Sequence, residues 1–282
     1  MIKVHFDFET YSECPLKDTG AWVYAEHPST RILCMGYAYG DEEPQLWVPG
    51  DPYPRFITHP QEYELHAWNS FFEWVVWHFC WPDVEKPPLS HWHDTAALAS
   101  AMALPRALGY CGNALGMASD VAKDKGGKVL IKKLSMPHEM NDDPELLKQM
   151  YTYCLQDVVA ERAISRVLFK LNPTERKVFI LDQKINIRGI KADLIMVDKC
   201  IEIYEQTHED INQKLISITG IENPASPSQF LNWLLDKGLI LENCQKGTLR
   251  EVLKTTDTYG THEAISLRMK LAKTAPKKFQ SI

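Results

Sequence analysis

Hydrophobic and polar residues alternate strictly at the start of the chain: Ile2, Val4, Phe6 and Phe8 fall on one side, Lys3, His5, Asp7 and Glu9 on the other. That period of two predicts a half-buried strand and puts Asp7 and Glu9 on a shared face. Arg31 to Tyr39 and Pro44 to Val48 read as two further strands, with Gly40 and Asp41 supplying the turn between them. The sheet is therefore expected to open antiparallel. A fourth short strand is predicted over Tyr63 to Trp68. From Asn69 the period lengthens, and Phe72, Val75, Val76 and Phe79 take the spacing of an amphipathic helix that stops near Trp81-Pro82. Asp94 stands where its carboxylate would cap a helix over Thr95 to Ala103, ended by Pro105.

The strongest helix start is Asp143-Pro144-Glu145, an N-cap acid followed by proline at the first helical position and an acid in the first turn. Apolar residues recur from there through Leu147, Met150, Cys154, Val158, Ile164 and Leu168. The Asn172-Pro173 step marks the expected domain boundary, dividing residues 1–172 from 173–282. Beyond it the pattern is almost wholly helical: Thr174 to Ile187 closed by Gly189, Asp193 to about Ile218 closed by Gly220, then a short helix opened by Ser226-Pro227 and ended by Gly238.

A length of 282 residues suits one large domain with a smaller partner. The formal charge of −6 argues against a protein that holds duplex DNA through a broad basic surface, although Lys270, Lys273, Lys277 and Lys278 offer local positive charge or simply a solvated face. Seven scattered cysteines without a CxxC pair indicate neither a zinc knuckle nor a disulfide framework. His91-Trp92-His93-Asp94 invites a zinc reading, but no Cys or His pair with ligand spacing accompanies it, so metal is not expected there. The N-terminus runs straight into charged positions, and no stretch reaches the ~18 apolar residues of a spanning helix. A cytoplasmic chain with no membrane partner is expected.

The chemistry lies in carboxylates. A strand offering Asp7 and Glu9, a helix offering Glu73 and a long late helix offering Asp157 bring four acids to elements that can pack around one sheet edge. Hard dications such as Mg²⁺ and Mn²⁺ want oxygen ligands, and so many like charges could not all stay ionised at close range without them. Asn69 and Glu73 are four apart, as are Tyr153 and Asp157, so each pair projects from one helical face. A tyrosine beside such a cluster can orient a water by a hydrogen bond, while a metal lowers that water's pKa.

Asp7-Phe8-Glu9-Thr10, Asn69-Ser70-Phe71-Phe72-Glu73 and Tyr153-Cys154-Leu155-Gln156-Asp157 resemble the three motifs of the DEDDy exonucleases. The resemblance implies a ribonuclease-H-like α/β fold with a mixed sheet, and two-metal 3′→5′ hydrolysis of single-stranded DNA or a frayed primer 3′ end. It implies metal ligation by Asp7, Glu9, Glu73 and Asp157, with Tyr153 also catalytic. Thr10, Asn69 and Phe72 are the implied DNA contacts. The second motif usually ends in Asp, and here it ends in Glu73; Asp94 is a nearby substitute carboxylate. Further on, Glu175 to Asp193, especially Leu181-Asp182 with Ile185-Asn186 and Arg188-Gly189-Ile190, then Asn223-Pro224-Ala225-Ser226-Pro227 and Lys246-x-Thr248-Leu249, resemble the segment that leads from exonuclease into the thumb of phage-type family A DNA polymerases, and Arg268 to Lys278 resembles the stretch just before the palm. That implies a smaller all-helical thumb-like segment without palm or fingers motifs, either from a truncated product or from a polymerase split between two chains, the second chain then being a partner.

Aromatic density at Trp68, Phe71, Phe72, Trp74, Trp77, Trp81 and Trp92 suits either a base-stacking platform or a core. Two other functions use the same residues: an exonuclease fold that has lost catalysis and clamps a separate polymerase, and RNA 3′ trimming of the ribonuclease D kind. The intact first and third motifs weigh against the first, and the thumb-like tail weighs against the second.

Overall fold

The computed structural model describes residues 1–117, 127–135, 141–256, 258–273 and 276–281, which form two compact units, Met1–Gly189 and Ile190–Ile282. The first unit holds strands β1 (Ile2–Tyr11), β2 (Arg31–Tyr39), β3 (Gln45–Trp47), β4 (Tyr63–Ala67) and β5 (Trp92–Asp94). Its helices are α1 (Leu16–Glu26), α2 (Arg55–Thr58), α3 (Ser70–Cys80), α4 (Thr95–Ala101), α5 (Leu108–Ala114), α6 (Gly127–Leu134), α7 (Pro144–Val167) and α8 (Pro173–Arg188). The second unit holds α9 (Leu194–Thr219), α10 (Pro227–Asp236), α11 (Lys246–Thr255) and α12 (Tyr259–Leu271).

The strands make one mixed α/β sheet in the order β3-β2-β1-β4-β5, an arrangement compatible with a ribonuclease-H-like fold. The first three pair antiparallel, β2 with β3 across the short Gly40-Asp41 turn and β1 with β2 through α1, while β4 joins β1 and β5 joins β4 in parallel. Parallel register puts aligned residues on one face. Val4, Leu65 and Trp92 form one row across β1, β4 and β5; His5, His66 and His93 form the next, on the opposite face.

The strand β1 is buried on both sides, so the expectation of a half-buried strand is corrected. Val4, Phe6 and Phe8 enter an aromatic core with Phe56, Trp77, Trp81 and Trp92. Trp77, Trp81 and Trp92 are thereby core residues rather than a stacking platform. The polar side of β1 lies under α7, where His5 Nδ1 meets Glu161 Oε2 at 2.6 Å and Thr95 also hydrogen-bonds Glu161.

Helix α7 begins where Asp143 accepts the N–H groups of Glu145 and Leu146, with Pro144 at its first position. It crosses the sheet at Gly36. A Cβ at that position would stand 3.1 Å from both the Cys154 carbonyl oxygen and Val158 Cγ2, so only glycine admits the helix this close.

The boundary expected at Asn172-Pro173 coincides with the start of α8, capped by the Asn172 side chain. The compact units divide later, after Gly189, because Arg176 of α8 donates to the carbonyls of Ser90 and Trp92, at 2.9 and 2.6 Å. In the second unit Leu215, Phe230, Leu234, Leu249, Ala264, Ile265 and Leu271 form a separate core. Arg268 is buried there, donating to the Ala225 carbonyl at 2.8 Å. Among the described residues no helix is long and apolar enough to cross a membrane.

Gly36→Ala is expected to destabilise the chain by about 1–3 kcal/mol, the range for overpacking a tight contact. Denaturant unfolding checks this; an unchanged midpoint would show that α7 can shift without cost.

Candidate functional site

The parallel pairing of β1 with β4 ends at His5 and His66, because β4 gives way to α3 after Ala67. Asn69 turns the chain between them with φ of 67°, a left-handed conformation that asparagine tolerates better than most residues. The turn aims the first helical turns of α3 back at β1. There the Phe8 N–H donates to Glu73 Oε2 at 3.2 Å. Carboxylates of α3 and β1 thus meet at the carboxyl end of the parallel strands, where open α/β sheets place their ligands.

Glu73 is 2% exposed. Burial pushes its carboxyl well above the usual range, the negative charges of Asp7, Glu9 and Asp94 push it further, and the Phe8 N–H opposes them. Asp7 is half-buried and Glu9 buried. Asp7, Glu9 and Cys154 each offer a ligand atom, all within 4.8 Å of one another.

Cys154 is no thiolate. Its Sγ accepts the Gly36 N–H at 3.0 Å and donates to the Asp7 carbonyl at 3.4 Å. Its pKa is raised by a hydrogen bond with Cys34, by burial, and by the charges of Cys34, Asp7 and Glu9. The available donors are therefore carboxylate oxygens, which suit hard dications and not thiophilic ones.

Tyr153 and Asp157, one turn apart on α7, are both buried and face this cluster. The Tyr153 phenol is pushed far above its usual range by burial, then by the charges of Asp157 and Glu9, a side-chain hydrogen bond with Asp157, and the charge of Asp7. It stays protonated. The structure thus brings Asp7, Glu9, Glu73, Tyr153 and Asp157 to one place.

The remaining predicted residues lie around it. Thr10 Oγ1 is tied to the Tyr24 hydroxyl at 2.8 Å, and burial lifts the Tyr24 phenol to about 12. The Phe72 ring is half-buried, 6.0 Å from that of Tyr24. Asn69 is half-buried at the start of α3. Asp94 caps α4, accepting from Ala97 N at 2.8 Å, and receives the Ser70 hydroxyl at 3.3 Å; burial leads in raising its pKa.

Two neighbours escaped the sequence reading. Cys154 lies inside the third motif, next to Tyr153, but carries no signal of its own. Glu161 continues the Tyr153, Asp157 spacing by one more turn, which marks its face; its partners His5 and Thr95 come from elsewhere in the chain.

No family model matches the chain. A DNA polymerase of Bacillus phage SP02 is 31% identical to it over 300 residues. The alignment takes in 99% of this chain and 45% of the relative, so the chain spans less than half the length of the phage polymerase it matches.

Folding raises the proton affinity of Glu73, so the folded chain holds this proton more tightly than the unfolded one. Its contribution to stability is complete below the ordinary glutamate value of ~4.3 and is lost as pH rises through the shifted value. In chelator, Glu73→Gln is expected to remove that slope and melt at a higher temperature than the parent at neutral pH. Melting curves across pH check this; parallel curves for the two proteins would contradict it.

Proposed function

We propose that this chain is a two-metal-dependent 3′→5′ exonuclease that shortens DNA from its 3′ end to nucleoside 5′-monophosphates, the proofreading part of a family A DNA polymerase. In this reading residues 1–172 are a ribonuclease-H-like exonuclease domain and 173–282 a helical thumb-like segment. The observation that carries it is the crowding of Asp7, Glu9 and buried Glu73, with Asp157 and Tyr153 facing them, at the carboxyl end of β1. Such a cluster is costly without a dication to neutralise it. The likeness to a phage DNA polymerase along almost the whole chain supports a polymerase-related role and favours DNA over RNA.

Asp7, Glu9, Glu73 and Asp157 would hold Mg²⁺ or Mn²⁺, which when bound stabilise charge on the phosphate and lower the pKa of a nearby water. The chain's own groups do the positioning. The Phe8 N–H fixes the Glu73 carboxylate, so the extra methylene over the usual Asp is taken up by an anchored side chain. Tyr153, protonated at physiological pH, would orient the attacking water by a hydrogen bond. Thr10, Asn69 and Phe72 stand beside Glu73 as contacts for the terminal nucleotide of a single strand or frayed primer end.

With a single-stranded DNA oligonucleotide, label at the 5′ end should reveal a ladder shortened from the 3′ end in Mg²⁺ or Mn²⁺ and no product in chelator. Undiminished degradation in chelator, or shortening from the 5′ end, would overturn the reading. Glu73→Ala should lower the rate on the order of a thousandfold, the several kcal/mol that a catalytic metal supplies. Asp94→Asn, which alters a helix cap, should do much less.

Asp157→Asn and Tyr153→Phe should fail differently. The first removes an oxygen ligand, so extra Mn²⁺ should recover part of the rate. The second removes only a hydrogen bond, so the deficit should persist at saturating metal, on the order of 10²-fold. Rescue of Tyr153→Phe by extra metal would exclude the water-positioning role.

A further inference from the structure

The sheet face under α7 carries a second polar group, away from the carboxylates. Glu64 and His66 are two apart on β4 and share a face; His93 is the register partner of His66 on β5 and shares it too. Their ligand atoms lie within 4.8 Å of one another, with His66 Nε2 at 3.7 Å from Glu64 Oε2. The two imidazole rings stack at 4.5 Å, nearly parallel. All three residues line a cavity of about 380 Å³.

His66 is 5% exposed, and neither of its ring nitrogens makes a hydrogen bond. A buried polar nitrogen without a partner gives up its bond to water and gains none in return. Both imidazoles are also uncharged at neutral pH: burial, and then the neighbouring positive and histidine groups, lower His66 to about 2, and burial followed by Arg176 lowers His93 to about 3. A metal ligand must be the neutral base.

We propose that Glu64, His66 and His93 form a binding site for a borderline transition-metal dication of the Zn²⁺ type, separate from the carboxylate cluster. Two imidazoles and one carboxylate are a recurrent zinc donor set that leaves one position open. Lys3, Arg166, Lys170 and Arg176 border the same cavity. Their positive charge opposes any cation held by charge alone, and it suits an anion at the open position of an ion held by imidazole nitrogen. Such an ion would tie β5, an edge strand of three residues, to β4. The proposal does not depend on the nuclease reading.

The test uses the full chain carrying Asp7→Asn and Asp157→Asn, so that the carboxylate cluster no longer competes for metal. After stripping with chelator, Zn²⁺ is titrated by calorimetry and Co²⁺ by its visible absorption. One equivalent is expected, with Co²⁺ bands of low-symmetry nitrogen and oxygen ligation. His66→Ala and His93→Gln should each weaken binding by at least ~100-fold and Glu64→Gln by at least ~10-fold, taking the losses known for supporting residues as a lower bound. Cooperative melting of each variant shows that it is folded; Glu64→Gln, on a partly exposed side chain, keeps the test decisive if a histidine variant is not. Binding of less than one equivalent in the starting protein, or unchanged affinity in the folded variants, would overturn the proposal.

Discussion

The site depends on how closely α7 approaches the sheet. Gly36 stands opposite Asp7 in the β1–β2 ladder, and the backbone of α7 at Cys154 rests on it with no side chain between. The Cys154 sulfur fills the remaining space, bonded to Gly36 N on one strand and the Asp7 carbonyl on the next. Any residue larger than glycine would lift the helix away from the strand it serves. The acids of β1 would then lose Asp157 and Tyr153 as neighbours. Packing at a small apolar contact therefore decides the electrostatics beside it.

The buried face of the sheet under α7 is unusually polar, and its polar groups are arranged by element. Toward the carboxyl end of β1 they are acids, crowded enough to raise the proton affinity of Glu73. Toward its amino end they are His5, held by Glu161, and the neutral pair His66 and His93. Residues in register fall into rows across β1, β4 and β5, and one such row, His5, His66 and His93, is histidine throughout.

Much of this was legible in the sequence. The alternation from Ile2 to Glu9 located β1 and set Asp7 and Glu9 together, and the four-residue spacing of Tyr153 and Asp157 gave their shared face. A period of two cannot show that the polar side is covered as well, because that depends on a helix about 150 positions away. Strand β5 was not legible, since three residues carry no period and its place comes from pairing with β4. Nor was α1, which Gly20 kinks and whose amphipathic pattern is weak. Ligand spacing gives His93 no partner close in sequence, whereas its neighbour in space, His66, is on another strand.

The clamps on α7 give that helix a fixed rotational phase. Asp143 caps one end, while Arg162 holds the carbonyls of Gly40 and Glu42 and Arg166 pairs with Asp41 near the other. Tyr153, Asp157 and Glu161 stand between, on one stripe. One residue inserted between Asp143 and Tyr153 would turn the helix by about 100° and advance it by ~1.5 Å, carrying all three off their partners together. Insertions and deletions along this helix should thus be far less tolerable than substitutions, even at its solvent-facing positions.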